Sequence, residues 1–281
     1  MVGGSPTGRS AYTFGDDRLA LERLRRLARI YEPSSRSLLE LAREVPWRRP
    51  ALAVDLACGP GLTTRLLAEV LGAERTLGLD LSEHFVAAAG RGQPQLEFLV
   101  HDVTRVPFPG PAPDAAYARF ILTHLPDPGA VLAAWGSALA PGGLLVLEEL
   151  HTMRGSAPVL NRYYETVAEM QGAHGQDMTV GRALPGLLPG AGLEPVLDRV
   201  LDLVLPGAPM AAVHLLNLRT WRHNQWVQAH REPAWLDELE AELEALAASA
   251  DSALRVDYRM SQLILRRPHG TFDRGGSGPL P

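Results

Sequence analysis

The sequence predicts an α/β fold with a parallel sheet covered by helices on both faces. Two observations predict it. From Ala51 onward, apolar runs too short for helices alternate with stretches of helical periodicity, the pattern of strands buried on both faces. Three successive runs also end in acids, Asp55, Asp80 and Asp102, which places chemistry at the carboxyl edge where open α/β sheets bind ligands.

The elements follow in order. The first dozen residues are rich in Gly, Ser and Pro and read as loop. Asp16 or Asp17 can cap a helix carrying Leu24, Leu27 and Tyr31. Pro33 is expected to end it, and Ser34 or Ser35 to start a second helix with Leu38, Leu41, Ala42 and Val45 on one face. Pro46 and Pro50 close this pair, an N-terminal helical lid over residues 1–50. Strands are expected at Leu52–Leu56, Thr76–Leu79, Leu96–Val100, Ala115–Ile121 and Leu144–Leu147. Helices are expected at Leu62–Leu71, Glu83–Ala89 and Pro128–Leu139.

After Leu150 the rhythm breaks. Helices fit Asn161–His174, Leu184–Leu188, Met210–His230 and Trp235–Ser249; extended segments fit Val196–Leu205 and Tyr258–Arg266. The core domain then spans 51–268, with helical cap insertions at about 151–180 and 206–250 standing near the active site, and a flexible tail at 269–281. In the helix from Trp235, five acids form a solvated face. Leu236, Leu239, Leu243 and Leu246 form a buried stripe that can equally serve a homodimer contact.

Composition narrows the function. A formal charge of −5 with 27 Lys+Arg against 32 Asp+Glu gives no basic excess for nucleic acid. One cysteine, Cys58, leaves no disulfide and no cysteine-rich metal site, and the histidines lack ligand spacing, so no metal is expected. Without a signal peptide or a long apolar run, the chain reads as cytoplasmic, with no membrane partner.

The first strand runs Asp55-Leu56-Ala57-Cys58-Gly59-Pro60-Gly61 straight into a helix. Glycines there allow a sharp turn and close backbone approach to a ligand. The spacing is not G-x-G-x-x-G and no Gly-Lys-Ser/Thr follows, which disfavours nicotinamide and P-loop sites. Asp55 suits a cationic ligand better than a phosphate. Asp80 at the second tip can accept both hydroxyls of a ribose, or else cap a helix at Ser82–Glu83. Asp102 can take a proton from an exocyclic amine, or cap its own loop.

This set resembles the class I S-adenosylmethionine-dependent methyltransferases of small-molecule type. Asp55 to Gly61 resembles their motif I. Asp80 matches the ribose-binding acid, and Asp102-Val103 the adenine-contacting position. Arg119 to Pro128 resembles the segment after strand four, and Pro141-Gly142-Gly143 the turn into strand five. The resemblance covers about Leu52 to Glu149. It implies a Rossmann-like, mostly parallel seven-stranded sheet with the last strand reversed, and S-adenosyl-L-methionine as cofactor. It also implies a cofactor-binding set of Asp55, Ala57, Gly59, Gly61, Asp80, Leu81, Asp102, Val103 and Arg119. Tyr12, Phe14 and the first helices resemble the lid of such enzymes.

The expected function is methyl transfer to the O, N or C of a small organic acceptor, in secondary metabolism. His124 and His151 are the candidate bases, with Glu148 or Glu149 orienting His151. The bland alternative for His124 is a packing histidine. Arg162, Tyr163, Tyr164, His174, Trp221, His223, Asn224 and Trp226 are candidates for an aromatic substrate pocket, or for core or lid packing. The rivals are a methyltransferase-like enzyme that uses the cofactor for cyclisation, decarboxylation or hydroxylation, and a cofactor-sensing binding protein.

Overall fold

Seven strands form one sheet in the order β3-β2-β1-β4-β5-β7-β6, in a computed structural model that describes residues 18–45 and 48–269. β1 (Leu52–Leu56), β2 (Arg75–Asp80), β3 (Glu97–Val100), β4 (Ala115–Arg119) and the start of β5 (Leu144–Gly155) run parallel. β7 (Arg255–Arg266) lies antiparallel between β5 and β6 (Glu194–Pro206). The expected mostly parallel sheet with its last strand reversed is therefore present.

Burial explains the parallel part. Every residue of β1 is buried, as a strand covered on both faces requires. Leu52, Val54 and Leu56 face one core with Trp135 of α4 (Pro128–Ala138) and Leu184 of α6 (Leu184–Ala191). Ala53 faces the other, with Leu66 and Leu67 of α2 (Leu62–Leu71) and Leu38 and Leu39 of α1 (Arg18–Glu44). A third core stands over the strand tips and unites α1 with α5 (Pro158–Ala173), α7 (Gly207–Trp221), α8 (Gln225–His230) and α9 (Pro233–Ala247). α3 (Glu83–Gly92) starts after Ser82, whose hydroxyl accepts the Phe85 amide at 3.2 Å.

Several boundaries differ from expectation. The two N-terminal helices are one, α1, with Pro33 inside it. Pro33 is exposed, so the carbonyl it leaves unbonded faces water. Buried Tyr31, Ser34 and Ser35 beside it hold the helix against the body. Ser34 does not cap a new helix; its hydroxyl donates to the Tyr31 carbonyl at 2.9 Å. Asp16, Asp17, Tyr12, Phe14, Pro46 and residues 270–281 lie outside the described residues. β5 runs on to Gly155, so residues 151–155 belong to the sheet rather than to the cap. The helix expected at 210–230 divides into α7 and α8, where Asn224 caps the second piece through the Trp226 amide. None of the described helices is long and apolar enough to cross a membrane.

Candidate active site

At the tip of β1 the chain turns through three left-handed residues, Ala57 (φ 60°), Gly59 (φ 53°) and Gly61 (φ 78°). At Gly61 a Cβ would stand 2.8 Å from the Phe98 ring and 3.0 Å from Ala89, so only glycine fits this entry to α2. Ala57 has no such excuse and stores backbone strain, as does Phe120 (φ 57°) at the tip of β4. Both strained residues border the edge where a ligand would lie. The Cys58 amide bonds to the Leu79 carbonyl at 2.9 Å, tying the turn to β2. The Cys58 thiol is buried and its pKa pushed up by that burial, so it is a packing group.

Asp55 is 2% exposed. Burial raises its carboxyl to about 6, against the pull of the Thr63 and Thr64 hydroxyls, which both donate to Oδ2 at 2.7 Å. Asp80, half-buried, accepts the Gly59 amide on Oδ2 at 2.8 Å and the Ser82 amide on Oδ1 at 2.9 Å. Ser82, not Asp80, is the helix cap. Leu81 next to it is 58% exposed, an apolar platform at the sheet edge. Asp102 accepts the Thr104 amide and hydroxyl and pairs with Arg105 at 3.3 Å, so its carboxylate caps its own turn here. Val103 is buried, and its carbonyl accepts Trp135 Nε1 at 2.8 Å.

Arg119 ends β4, donates to Ser35 at 2.9 Å and lies over the Phe120 ring. It lines a cleft of about 290 Å³ with Arg25, Arg29 and Glu32 of α1 and Thr63 and Arg65 of α2. Four guanidinium groups and one carboxylate give this cleft a positive field.

The acids in the middle of β5, Glu148 and Glu149, do not orient His151. Glu148 is buried and accepts the Ser35 and Tyr117 hydroxyls at 2.5 Å each and the Gln262 amide at 2.7 Å. Glu149 accepts the amides of Ile121 and Leu122 at 2.9 and 2.7 Å, which fixes the turn carrying His124. His151 sits at a β-bulge between Leu150 and Thr152, with Nδ1 3.1 Å from Ser261 Oγ. Partial burial, helped by Arg259 and Arg182, lowers its pKa. His124 lies in a 3₁₀ turn, Leu122–His124. Its ring is 3.5 Å from Gln171 Nε2, and its carbonyl accepts Gln176. Loss of hydration, then the Arg23 charge, pushes its pKa to about 3, so it stays neutral and is a weak base.

Above this turn, α1, α5 and α7 bring together Tyr163 and Tyr164, both pocket candidates from the sequence, with His214, Arg23 and Asn217, which the sequence did not single out for a site. Arg23 is 2% exposed and donates to Asn217 at 2.9 Å. The His214 ring stacks on Tyr163 at 4.4 Å, and its Nε2 lies 3.1 Å from the Tyr164 hydroxyl. Trp221 is buried in the same core, whereas His223 and Trp226 are not fully buried. The one signal for Arg23 was an arginine on the apolar stripe of Leu27, Ile30 and Tyr31.

The residues 54–147 match the family described as a methyltransferase domain. The chain is 30% identical over 239 residues to trans-aconitate 2-methyltransferase of Methylobacterium radiotolerans, covering 80% of this chain and 87% of that one. The chain belongs to the class I S-adenosylmethionine-dependent methyltransferases. A second relative, trans-aconitate 2-methyltransferase of Variovorax paradoxus, is 37% identical over 43% of this chain and 48% of its own length. Among solved structures, phosphoethanolamine N-methyltransferase 2 of Haemonchus contortus shares the fold (TM-score 0.59, 14% identity, 93% of this chain and 61% of that one). So does the [4+2]-cyclase SpnF (TM-score 0.53, 20% identity, 85% and 83%). The cofactor of this methyltransferase is S-adenosylmethionine. The donor set fits it: carboxylates at the tips of β1 and β2 suit a cation and a ribose diol, and Leu81 offers an apolar face to a base.

Proposed function

We propose that this methyltransferase converts a carboxylate of a small organic acid into its methyl ester, with a polycarboxylate such as trans-aconitate as acceptor. The observation that carries this reading is the state of His124. A neutral imidazole with a pKa near 3 cannot take a proton from a phenol or alcohol efficiently. A carboxylate has no proton to lose. The relatives being trans-aconitate 2-methyltransferases supports the same acceptor chemistry.

Bound S-adenosylmethionine supplies an electrophilic methyl carbon on a positively charged sulfur. Asp55, Ala57, Gly59 and Gly61 would hold its amino-acid end, Asp80 its ribose hydroxyls, and Leu81, Val103 and Asp102 its base. Arg119 and the arginines beside it set a positive field that draws anionic groups to the strand tips. Glu149 fixes the turn after β4, and an acceptor held there in line with the methyl group would gain up to roughly 7–11 kcal/mol from positioning in favourable cases. His124 and His151 orient the acceptor by hydrogen bonding.

The test is turnover with trans-aconitate and a panel of phenols and amines. Ester formed in equal amount to the demethylated cofactor supports the proposal. Methylation of a phenol or amine without any carboxylate product sinks it. Cofactor-dependent conversion without demethylation would favour the cyclase-like alternative.

A further inference from the structure

We infer that Glu148 is a positioning residue: through the Ser35 hydroxyl it aims Arg119 at the carboxylate on the amino-acid end of the cofactor. The inference rests on the placement of that end beside Asp55, and it does not depend on which acceptor is methylated.

Register is the first argument. Arg119 of β4 lies opposite Glu148 of β5, and Glu148 lies opposite Gln262 of β7, so the three share one row and one face of the sheet. Opposite charges in such a row ordinarily pair directly. Here both Glu148 oxygens are taken by neutral donors instead. The Ser35 and Tyr117 hydroxyls donate to Oε2 and the Gln262 amide to Oε1. The same Ser35 hydroxyl accepts a guanidinium N–H of Arg119 at 2.9 Å. One hydroxyl from α1 therefore joins the acid to the base, and each hydrogen bond strengthens the other. Glu148 is 0% exposed, so it meets no ligand itself. A buried carboxylate is costly to keep for packing alone, whereas fixing a guanidinium at a ligand edge gives it a use.

The far side of the guanidinium is the second. Among the described residues, the direct partners of Arg119 are the Ser35 hydroxyl and the Phe120 ring at 5.7 Å, neither of them an anion. Arg119 lines the cleft between α1 and α2 together with Thr63. The Thr63 hydroxyl in turn donates to Asp55 at 2.7 Å, and Asp55 feels the Arg119 charge. Cleft and field thus place this guanidinium beside the acid of the motif I turn. An acid and a base flanking one edge match the two ends of an amino acid, Asp55 its ammonium and Arg119 its carboxylate. With one N–H held by Ser35, the planar fork keeps further donors for that anion.

The experiment measures by calorimetry the affinity of each protein for S-adenosylhomocysteine and for methylthioadenosine, which is the same nucleoside without the amino-acid end. Arg119→Gln should raise the S-adenosylhomocysteine Kd by about 10- to 100-fold and leave the methylthioadenosine Kd within about twofold. Glu148→Gln, which keeps the size and loses the charge, should raise the first Kd by about 3- to 10-fold and again spare the second. Added to Arg119→Gln, it should change the first Kd by less than about twofold, because its effect runs through the guanidinium. Ser35→Ala removes only the bridging hydroxyl; it should match Glu148→Gln and carries the test where that variant does not fold. A folded Glu148→Gln protein that keeps its S-adenosylhomocysteine affinity, or loses both nucleosides equally, makes Glu148 purely structural and overturns the inference. An effect of Glu148→Gln that persists in full beside Arg119→Gln overturns it too. A parent protein that binds the two nucleosides equally overturns the reading beneath, that the amino-acid end is held at this edge.

Discussion

The Gly59 amide donates to Asp80 Oδ2 at 2.8 Å, so the turn after β1 and the tip of β2 act as one rigid unit. The opposite oxygen takes the Ser82 amide at 2.9 Å, which starts α3. Removing the carboxylate should thus loosen the turn as well as delete an acceptor for ribose hydroxyls.

Asp80→Ala is expected to weaken S-adenosylhomocysteine binding by at least about tenfold, as loss of hydrogen bonds to a charged group does. It should also cost roughly 1–2 kcal/mol of stability through the freed Gly59 amide. Calorimetry and thermal unfolding report the two effects separately. A Kd within twofold of the parent would remove Asp80 from the cofactor site.

Pro33 carries a second prediction. A proline inside a helix costs about 3 kcal/mol relative to alanine, and Pro33 is exposed within the continuous α1. Pro33→Ala restores an amide for the Arg29 carbonyl but frees the unfolded chain by roughly 0.4–1 kcal/mol. The net gain should be about 2–2.6 kcal/mol, read as a higher Tm with cofactor affinity unchanged. A lower Tm would mean that the proline bend itself is needed for α1 to pack.

These two residues show what the sequence made legible. The place of Asp80 at the end of β2 was legible because short apolar runs between helical stretches mark parallel strands. The same logic located Asp55, Gly59 and Gly61. Pro33 misled because a local rule for breaking helices was set against tertiary packing of Tyr31, Leu38 and Leu39. Asp102 was ambiguous from the start, and Thr104 and Arg105 now engage it. Arg23 was invisible for another reason. Its partner Asn217 is 194 positions away, and an arginine on a helix is ordinarily solvated.

Glu149 predicts a pH dependence of stability. Its carboxyl is fully buried, and burial raises its pKa to about 8 in spite of the amides of Ile121, Leu122 and Thr123. The folded protein therefore holds a proton that the unfolded chain, at about 4.5, has released. This contribution is complete below about pH 4.5, declines as pH rises, and is gone above about pH 8. Glu149→Gln keeps an acceptor for the two amides and removes the titration. Its Tm should fall less steeply than the parent's between pH 5 and 8; parallel curves would show that Glu149 stays ionised.

His124 decides between the two chemistries open to the site. For a proton-bearing acceptor, deleting a general base costs about 10²–10⁴ in rate, and the rate would follow its protonation. For a carboxylate, His124 takes no proton; it supports the turn, lies beside Gln171 and helps orient the acceptor. His124→Gln should then lower kcat on trans-aconitate by less than about tenfold, leave cofactor affinity intact and keep the parent's pH profile from about pH 6 to 8.5. The unchanged profile follows from a pKa near 3, well below that window, where this ring never changes charge, while Asp55 and Glu149 titrate alike in both proteins. A loss of a hundredfold or more in His124→Gln, together with a rate in the parent that climbs with pH across this range, would make His124 the proton acceptor and turn the search towards phenols and alcohols.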